Sequence, residues 1–262
     1  MRKARARRKS TIRRIVRLFV LVGLGVVIGF LGYQLIVLAR VARLRSENPA
    51  TTSLIDARAA ETRARGQEPR RTQVWLPLDR ISPNLQRAVL AGEDTNFVTH
   101  NGFDYQAIQK AWDEAQRAAA KEAKSEGDNE SDWLSYLPDF KRGASTITQQ
   151  LAKNLYLSTD KTFIRKGQEA ITTIFLERLL TKRRILEIYL NVIEWGDSLY
   201  GAEAAAQHYF RKSAASLSAS EAAFLSAIIP NPRTVFNPKV NPRRVARRQR
   251  IILRGIPYIR LP

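Results

Sequence analysis

The sequence predicts a mainly α-helical protein in which one membrane-spanning helix near the N-terminus precedes a single folded domain. Two observations predict this fold class: an uninterrupted apolar run over residues 18–38, and apolar side chains that recur at helical spacing through most of residues 74–262. Strand signals are weak and short, so we expect at most a small hairpin. A hydrophobic content of 44% over 262 residues is enough for a packed core and excludes a disordered protein.

Basic residues dominate the chain, which has a formal net charge of +20 from 44 Lys and Arg against 24 Asp and Glu. Such a charge indicates an anionic partner, whether a nucleic acid, a membrane surface or a phosphorylated substrate. Nine of the basic residues lie within positions 1–17, where there is no acidic residue. The chain has no cysteine, which excludes disulfides, thiolate metal sites and thiol nucleophiles.

The apolar run of residues 18–38 is 21 residues long, with Gln34 as its only strongly polar side chain, and a helix needs about 20 residues to cross a bilayer. By the positive-inside rule, residues 1–17 form a cytosolic tail and everything after residue 38 lies outside. The alternative is a cleaved signal peptide, whose apolar core is usually about 7–15 residues long. The longer core and the poor cleavage site over residues 38–43 favour an uncleaved, single-pass anchor.

Behind the anchor, residues 39–73 contain few large apolar side chains, which predicts a linker or partly helical stalk, and the folded domain is expected over residues 74–262. Ser82 and Pro83 predict a helix start, with an N-cap followed by proline at the first helical position. A polar run within residues 118–142 predicts a flexible insertion whose aromatic end touches lipid or a partner. Further helices are predicted over residues 103–120, 146–157, 165–180, 185–192, 202–210, 220–229 and 245–253.

Glu93 and Asp94 lie where the helix that starts at Pro83 is expected to end. A carboxylate there opposes the negative pole of the helix dipole, which raises its proton affinity and favours general acid–base chemistry. Taken alone, Glu93 is better interpreted as a solvated turn carboxylate. His100, six residues after Asp94, is by itself a packed or capping histidine.

Residues 143–150 bring hydroxyl and amide groups to the start of a predicted helix. Ser145, Thr146, Gln149 and Gln150 together with free backbone amides suit the oxygens of a sugar or phosphate, although a well-capped helix has the same pattern. Lys153 and Asn154 follow on the same helix. Further on, Arg165 and Glu169 are four residues apart on one helical face, where a surface ion pair is the simpler interpretation.

The order of these segments resembles the biosynthetic peptidoglycan glycosyltransferases of glycosyltransferase family 51. The matching motifs are Glu-Asp-x-x-Phe-x-x-His-x-Gly at 93–102, Gly-x-Ser-Thr-Ile-Thr-Gln-Gln at 143–150 and Arg-Lys-x-x-Glu at 165–169. Residues 182–191 and 243–253 resemble two further motifs, so the resemblance covers roughly residues 74–253. The main departure is the polar insertion. No motif of a penicillin-binding transpeptidase follows, so the resemblance is to the monofunctional, membrane-anchored form.

The resemblance implies a mainly α, two-lobed lysozyme-like domain that polymerises lipid II into β-1,4 glycan with release of undecaprenyl diphosphate. It implies Glu93 as the general base and Glu169 as a second catalytic carboxylate near the leaving group. The implied substrate-binding residues are Asp94, Phe97, His100, Ser145, Thr146, Gln149, Gln150, Lys153, Asn154, Arg165 and Lys166. It implies no required cofactor and no protein metal site, with a divalent cation such as Mg²⁺ or Mn²⁺ as an optional aid at the diphosphate.

The implied location is the bacterial cytoplasmic (inner) membrane, with the catalytic domain periplasmic or extracellular. Its implied partners are lipid II, the growing lipid-linked glycan, the membrane and proteins of cell-wall synthesis or division, and not nucleic acid. One alternative is a hydrolase of the same glycan, because a glutamate in a lysozyme-like cleft suits both directions of chemistry. Another is a non-enzymatic membrane protein that binds nucleic acid or anionic lipid through its charge.

Overall fold

The computed structural model describes residues 2–125, 145–156 and 163–262. These residues form two compact units, one ending at Glu47 and the other running from Asn48 to Pro262. The first unit is essentially one helix, α1 (Arg2–Arg43). Its segment Arg17–Arg43 is long and apolar enough to cross a membrane, and it contains the predicted span of residues 18–38. This helix fits a single-pass membrane protein.

The second unit begins earlier than the sequence predicts, because α2 (Ser53–Ala64) packs as part of the domain. Thr52 caps α2 by accepting a hydrogen bond from the Ile55 amide at 3.2 Å, and the Ile55 side chain is buried. The Ser53 hydroxyl donates to the Leu155 carbonyl at 3.2 Å. The linker or partly helical stalk predicted over residues 39–73 thus includes a helix that packs against α5. Because Ile55 is the one buried large apolar side chain of α2, the composition of this segment gives little sign that it packs into the domain.

The rest of the second unit is mainly α-helical, as predicted. Its helices are α3 (Pro83–Glu93), α4 (Tyr105–Ser125), α5 (Ile147–Tyr156), α6 (Phe163–Leu179), α7 (Lys182–Val192), α8 (Ala202–Phe210), α9 (Ala219–Ile228) and α10 (Pro242–Gly255). Short 3₁₀ turns occur at Leu78–Arg80, Ala214–Ser216 and Ile256–Tyr258. Within the predicted insertion, α4 continues to Ser125, and residues 126–142 lie outside the described residues.

A small sheet closes one side of the domain, with strands β1 (Thr72–Gln73), β2 (Glu194–Gly196) and β3 (Leu199–Tyr200) in the order β1-β3-β2. β2 and β3 form an antiparallel hairpin, and β1 adds in parallel to β3. The buried Asn191 side chain at the end of α7 holds the chain after β1. Its amide accepts from the Leu76 N–H and donates to the Leu76 carbonyl, both at 2.8 Å.

The core consists of two helix groups that position the end of α3. In one group, α3 packs against α9 and α10; in the other, α5 packs against α6 and α7. Ser82 caps α3 as predicted, accepting from the Asn84 amide at 3.2 Å, with Pro83 at the first helical position. Because α3 ends at Glu93, the last residue of the helix faces side chains from both groups.

Candidate active site

Glu93 is the last residue of α3, and donors from two other helices hold both of its carboxylate oxygens. Arg248 of α10 donates to Oε1 at 2.7 Å, and Gln150 of α5 donates to Oε2 at 3.0 Å. The Tyr189 hydroxyl of α7 donates to Gln150 Oε1 at 2.8 Å. This contact turns the NH₂ group of the Gln150 amide toward Glu93. The carboxylate is thereby fixed in position by tertiary contacts rather than by its own helix.

Burial raises the pKa of Glu93, and the nearby Asp94 charge adds to the rise, while Arg248 and Gln150 act in the opposite direction. The pKa of Tyr189 is raised well above its usual value, chiefly by burial and then by the charges of Glu93 and Asp94, so its hydroxyl stays protonated and remains a donor. A buried carboxylate with a raised pKa that is still paired with an arginine is suited to accept a proton near neutral pH.

Asp94 follows Glu93 and is a scaffold residue for the same site. Its Oδ2 accepts from the Ile147 amide at the start of α5, and its Oδ1 contacts His100 Nε2, both at 2.9 Å. His100 Nδ1 accepts from the Gly102 amide at 3.2 Å. Because Nδ1 is an acceptor, the ring proton lies on Nε2 and is donated to Asp94. His100 thus connects the loop after α3 to Asp94, and Asp94 in turn binds the backbone at the start of α5.

Gly102 has a structural reason to be glycine in this motif. Its φ is +90°, and a Cβ there would lie 2.7 Å from Thr173 Cγ2. Its carbonyl accepts from the Thr146 hydroxyl at 2.7 Å. The loop that carries His100 is therefore closed by a position that only glycine occupies without strain.

Thr146 and Gln149 form a reciprocal cap on α5. The backbone N–H of Gln149 donates to Thr146 Oγ1 at 3.2 Å, and the backbone N–H of Thr146 donates to the side-chain oxygen Oε1 of Gln149 at 3.0 Å. Both side chains are buried, as is Phe97, whose ring lies 4.4 Å from the Lys182 ammonium. The well-capped helix considered from the sequence is present. Phe97 and Gln149 are buried and support the site from the protein interior, and neither lines one of the two cavities described next.

Two cavities lie next to this network of hydrogen-bonded side chains. The smaller, of about 170 Å³, lies beside Glu93 and Asp94 and is also lined by Ser145 and Thr146. The larger, a cleft of about 340 Å³, is lined by residues of α2, α5, α6, α7 and the segment after α9. Gln150 lines the larger cleft and also bonds to Glu93. The Glu93 carboxylate is therefore hydrogen-bonded to a residue that lines the larger cleft.

The larger cleft, hereafter the basic cleft, carries four basic side chains and one acidic one. They are Arg58, Lys153, Arg165, Arg233 and Glu194. The sequence-predicted residues Gln150, Lys153, Asn154 and Arg165 line it. The excess of positive charge in a partly enclosed space suits a phosphorylated ligand.

Glu169 is buried behind the cations of α6. Arg165 Nη1 donates to its Oε2 at 3.0 Å, and Lys166 pairs with its Oε1. The side chain of Glu169 is 5% exposed, so this is not the surface ion pair considered from the sequence. The pKa of Lys153 is lowered, first by loss of water around its ammonium and then by Arg165 and Lys166, while Glu169 opposes the shift. Glu169 therefore partly balances a crowded group of cations.

Arg58, Glu194 and Arg233 are residues of the cleft that sequence reasoning missed. Arg58 Nη2 donates to Glu194 Oε2 at 3.2 Å, and Arg233 Nη1 contacts Glu61 Oε2 at 3.2 Å. Burial raises the pKa of Glu194, and the Arg58 charge opposes that rise. These pairs join positions 136 and 172 residues apart in sequence. The signal available in the sequence was the charge-rich composition of residues 53–64, which resembled a linker.

The chain is similar in sequence to known transglycosylases. A protein-family model described as Transglycosylase matches residues 60–127 and 133–256. A protein of Chromobacterium violaceum named biosynthetic peptidoglycan transglycosylase is 43% identical over 236 residues, which cover 90% of this chain and 95% of the relative. Proteins with the same name from Laribacter hongkongensis and Thiobacillus denitrificans are 41% and 45% identical, covering 89% and 77% of this chain and 93% and 78% of the relatives.

These matches extend over most of the chain and include the segments that supply Glu93, Gln150 and Arg165. They confirm the predicted mainly α, lysozyme-like fold class, with one N-terminal apolar helix. The chain belongs to the transglycosylase family and is a peptidoglycan glycosyltransferase of cell wall biosynthesis.

Proposed function

We propose that this enzyme polymerises lipid II into β-1,4 glycan strands, with Glu93 as the general base and the basic cleft as the site of the departing diphosphate. The single observation that supports this assignment is Gln150. Its amide bonds to the buried Glu93 carboxylate and its side chain also lines the cleft that holds Lys153 and Arg165. The Gln150 side chain therefore lies between the proposed proton acceptor, Glu93, and the cations of the basic cleft.

In the proposed reaction, Glu93 takes the proton from the 4-hydroxyl of the acceptor sugar. The hydroxyl oxygen attacks the anomeric carbon of the donor, and the bond from that carbon to the diphosphate oxygen breaks, so the configuration inverts. The diphosphate leaves with the bonding electron pair. Lys153 and Arg165 stabilise the negative charge that develops on its oxygens, and Asn154 and Gln150 are expected to bind sugar or phosphate oxygens.

The remaining predicted site residues receive supporting roles in this proposal. Asp94, His100, Thr146 and Gln149 fix the relative position of α3 and α5 through the hydrogen bonds described above. Phe97 is buried with its ring edge-on to that of His100, at a centroid distance of 6.3 Å, and Ser145 borders the smaller cavity beside Glu93. Glu169 and Lys166 hold Arg165, so Glu169 acts on the leaving group through that arginine.

A divalent cation at the diphosphate remains a prediction. In the ranges that the structure describes, no group of three or more His, Asp or Glu side chains could hold a metal ion. We expect such an ion to bind the substrate's phosphate oxygens. Activity measured with EDTA and with added Mg²⁺ or Mn²⁺ tests this point.

We also propose that the enzyme is anchored in the bacterial cytoplasmic membrane with the basic tail of residues 1–17 in the cytosol and the catalytic domain outside. The charge asymmetry around the apolar part of α1 supports this orientation. Recruitment by proteins of cell-wall synthesis or division remains a prediction.

Incubation of the purified enzyme with lipid-linked disaccharide tests the proposed reaction against hydrolysis of the same glycan. Appearance of glycan polymer with release of undecaprenyl diphosphate is the expected result. Shortening of mature glycan, with no polymer formed from the lipid-linked precursor, would identify a hydrolase instead.

A further inference from the structure

The outer face of α10 carries a row of arginines on the side opposite its buried face. Val245 and Ile252 are each only 2% exposed and define the buried face. The exposed row, hereafter the arginine ridge, consists of Arg243, Arg247, Arg250 and Arg254. At 3.6 residues per turn and 1.5 Å per residue, these four positions fall within an arc of about 60° and span about 16 Å.

The ridge has no acidic partner among the described residues. None of its four arginines makes a side-chain hydrogen bond or ion pair there, whereas Arg248 of the same helix is paired with Glu93. The chain contains no Asp or Glu after Glu221, so neither α10 nor the segment that follows it offers an acidic partner. Exposed arginines without counter-ions on a helix of this length indicate that an anionic surface supplies the counter-ions.

Apolar side chains flank the ridge. Ile251 is 62% exposed and Tyr258, just after the helix, is 85% exposed. Arginines beside exposed aliphatic and aromatic side chains are typical of helices that lie at a membrane–water interface. Nucleic acid would satisfy the charge equally well but gives no reason for the exposed Ile251. The chain also carries a candidate membrane-spanning helix, which would keep the domain close to a bilayer.

We propose that the arginine ridge binds the headgroups of anionic phospholipids, with Ile251 and Tyr258 entering the interfacial region. The ridge is then a second membrane contact of the catalytic domain, separate from α1 and from the basic cleft. Each arginine near an anionic surface increases binding about fivefold. The contact is electrostatic and is screened by salt.

The absence of cysteine from the chain allows a direct test on the full-length protein. The variant Ile251→Cys, labelled with a polarity-sensitive fluorophore, is reconstituted into bilayer discs of phosphatidylcholine alone or with phosphatidylglycerol. We expect a blue shift of emission only with phosphatidylglycerol, which disappears at about 0.5 M salt. The same emission in both lipids would overturn the proposal without the use of any further variant.

Two matched variants of the labelled protein distinguish the ridge from overall charge. One replaces Arg243, Arg247, Arg250 and Arg254 by Gln, and the other replaces the exposed Arg63, Arg65, Arg70 and Arg80 by Gln. The blue shift should be lost in the first variant and kept in the second, with the melting temperature unchanged in both. Equal loss in both variants, or a shift induced by DNA or an acidic peptide but not by phosphatidylglycerol, would overturn the assignment.

Discussion

The Glu93 carboxylate is subject to opposing influences, since burial raises its pKa and the ion pair with Arg248 lowers it. The proposed base must be ionised to accept a proton. Replacement Arg248→Gln removes the opposing charge, so the pKa of Glu93 should rise further. The acid limb of the pH dependence of kcat/KM should therefore move to higher pH, because kcat/KM reports ionisation in the free enzyme.

The matched control for this prediction is Arg248→Lys, which keeps a positive charge but not the arginine geometry that reaches both Glu93 and the Gly92 carbonyl. Its acid limb should stay closer to that of the unmodified enzyme. An acid limb at the same pH in Arg248→Gln as in the unmodified enzyme would show that Arg248 does not set the ionisation of Glu93.

Arg165 combines a role in the cleft with the pairing of a buried carboxylate. Arg165→Lys keeps a charge for Glu169 but loses the planar fork that binds two phosphate oxygens. We expect Arg165→Ala and Lys153→Ala to lower kcat by about 10²–10³, as removal of a donor to a developing negative charge does. Arg165→Lys should lose much of its kcat with little change in melting temperature.

Turnover and melting should be measured in parallel, with Arg178→Ala as the control because Arg178 is exposed on the same helix. Normal turnover in all three cleft variants would exclude the proposed diphosphate site. Loss of turnover only in proportion to loss of folded protein would indicate that Arg165 serves chiefly to pair Glu169.

At the scale of residues, the sequence predicts that α3 ends near Glu93, but it does not predict which side chains bind Glu93. The Ser82–Pro83 start and the apolar spacing are local signals, and they place Glu93 at the end of its helix. Arg248 and Gln150 are 155 and 57 residues away along the chain. Contacts of that separation depend on how helices pack, which periodicity does not report. For the same reason, the sequence does not distinguish Phe97 and Gln149, which are buried, from the residues that line the cleft.

At the scale of elements, the sequence does not indicate that α2 packs as part of the folded domain, whereas the structure shows that it does. It supplies Arg58 to the basic cleft and packs on α5. A chain that begins at Asn48 should therefore be more thermally stable than one that begins at Gly66, which keeps β1 but lacks α2. Thermal melting of the two purified chains checks this. Equal melting temperatures would mean that α2 is dispensable for the stability of the domain.

Other elements were predictable because their signals are local. α8 has the bounds predicted from its apolar pattern, residues 202–210, and α9 begins with the Ser218–Glu221 capping box. α2 has the Thr52 cap but only one buried large apolar residue, Ile55. The Arg58–Glu194 ion pair joins α2 to β2, and local composition does not indicate such a contact.

At the scale of the whole molecule, the proposed topology follows from the basic tail before the apolar part of α1. A reporter that is active only outside the cytosol, fused after Leu261, should be active in bacterial cells. A reporter that is active only in the cytosol should be inactive at the same position. The opposite pattern would reverse the proposed orientation and remove the catalytic domain from the compartment proposed here.

The central claim is that Glu93, at the end of α3, accepts the proton during glycan polymerisation. Glu93→Gln keeps the size of the side chain and one acceptor oxygen for Arg248 or Gln150 but has no carboxylate. The most direct measurement is the rate of polymer formation from purified lipid-linked disaccharide by this variant, alongside its melting temperature. Loss of a general base predicts a rate lower by about 10²–10⁴ in a folded protein. A folded variant that polymerises at near the unmodified rate would contradict the claim.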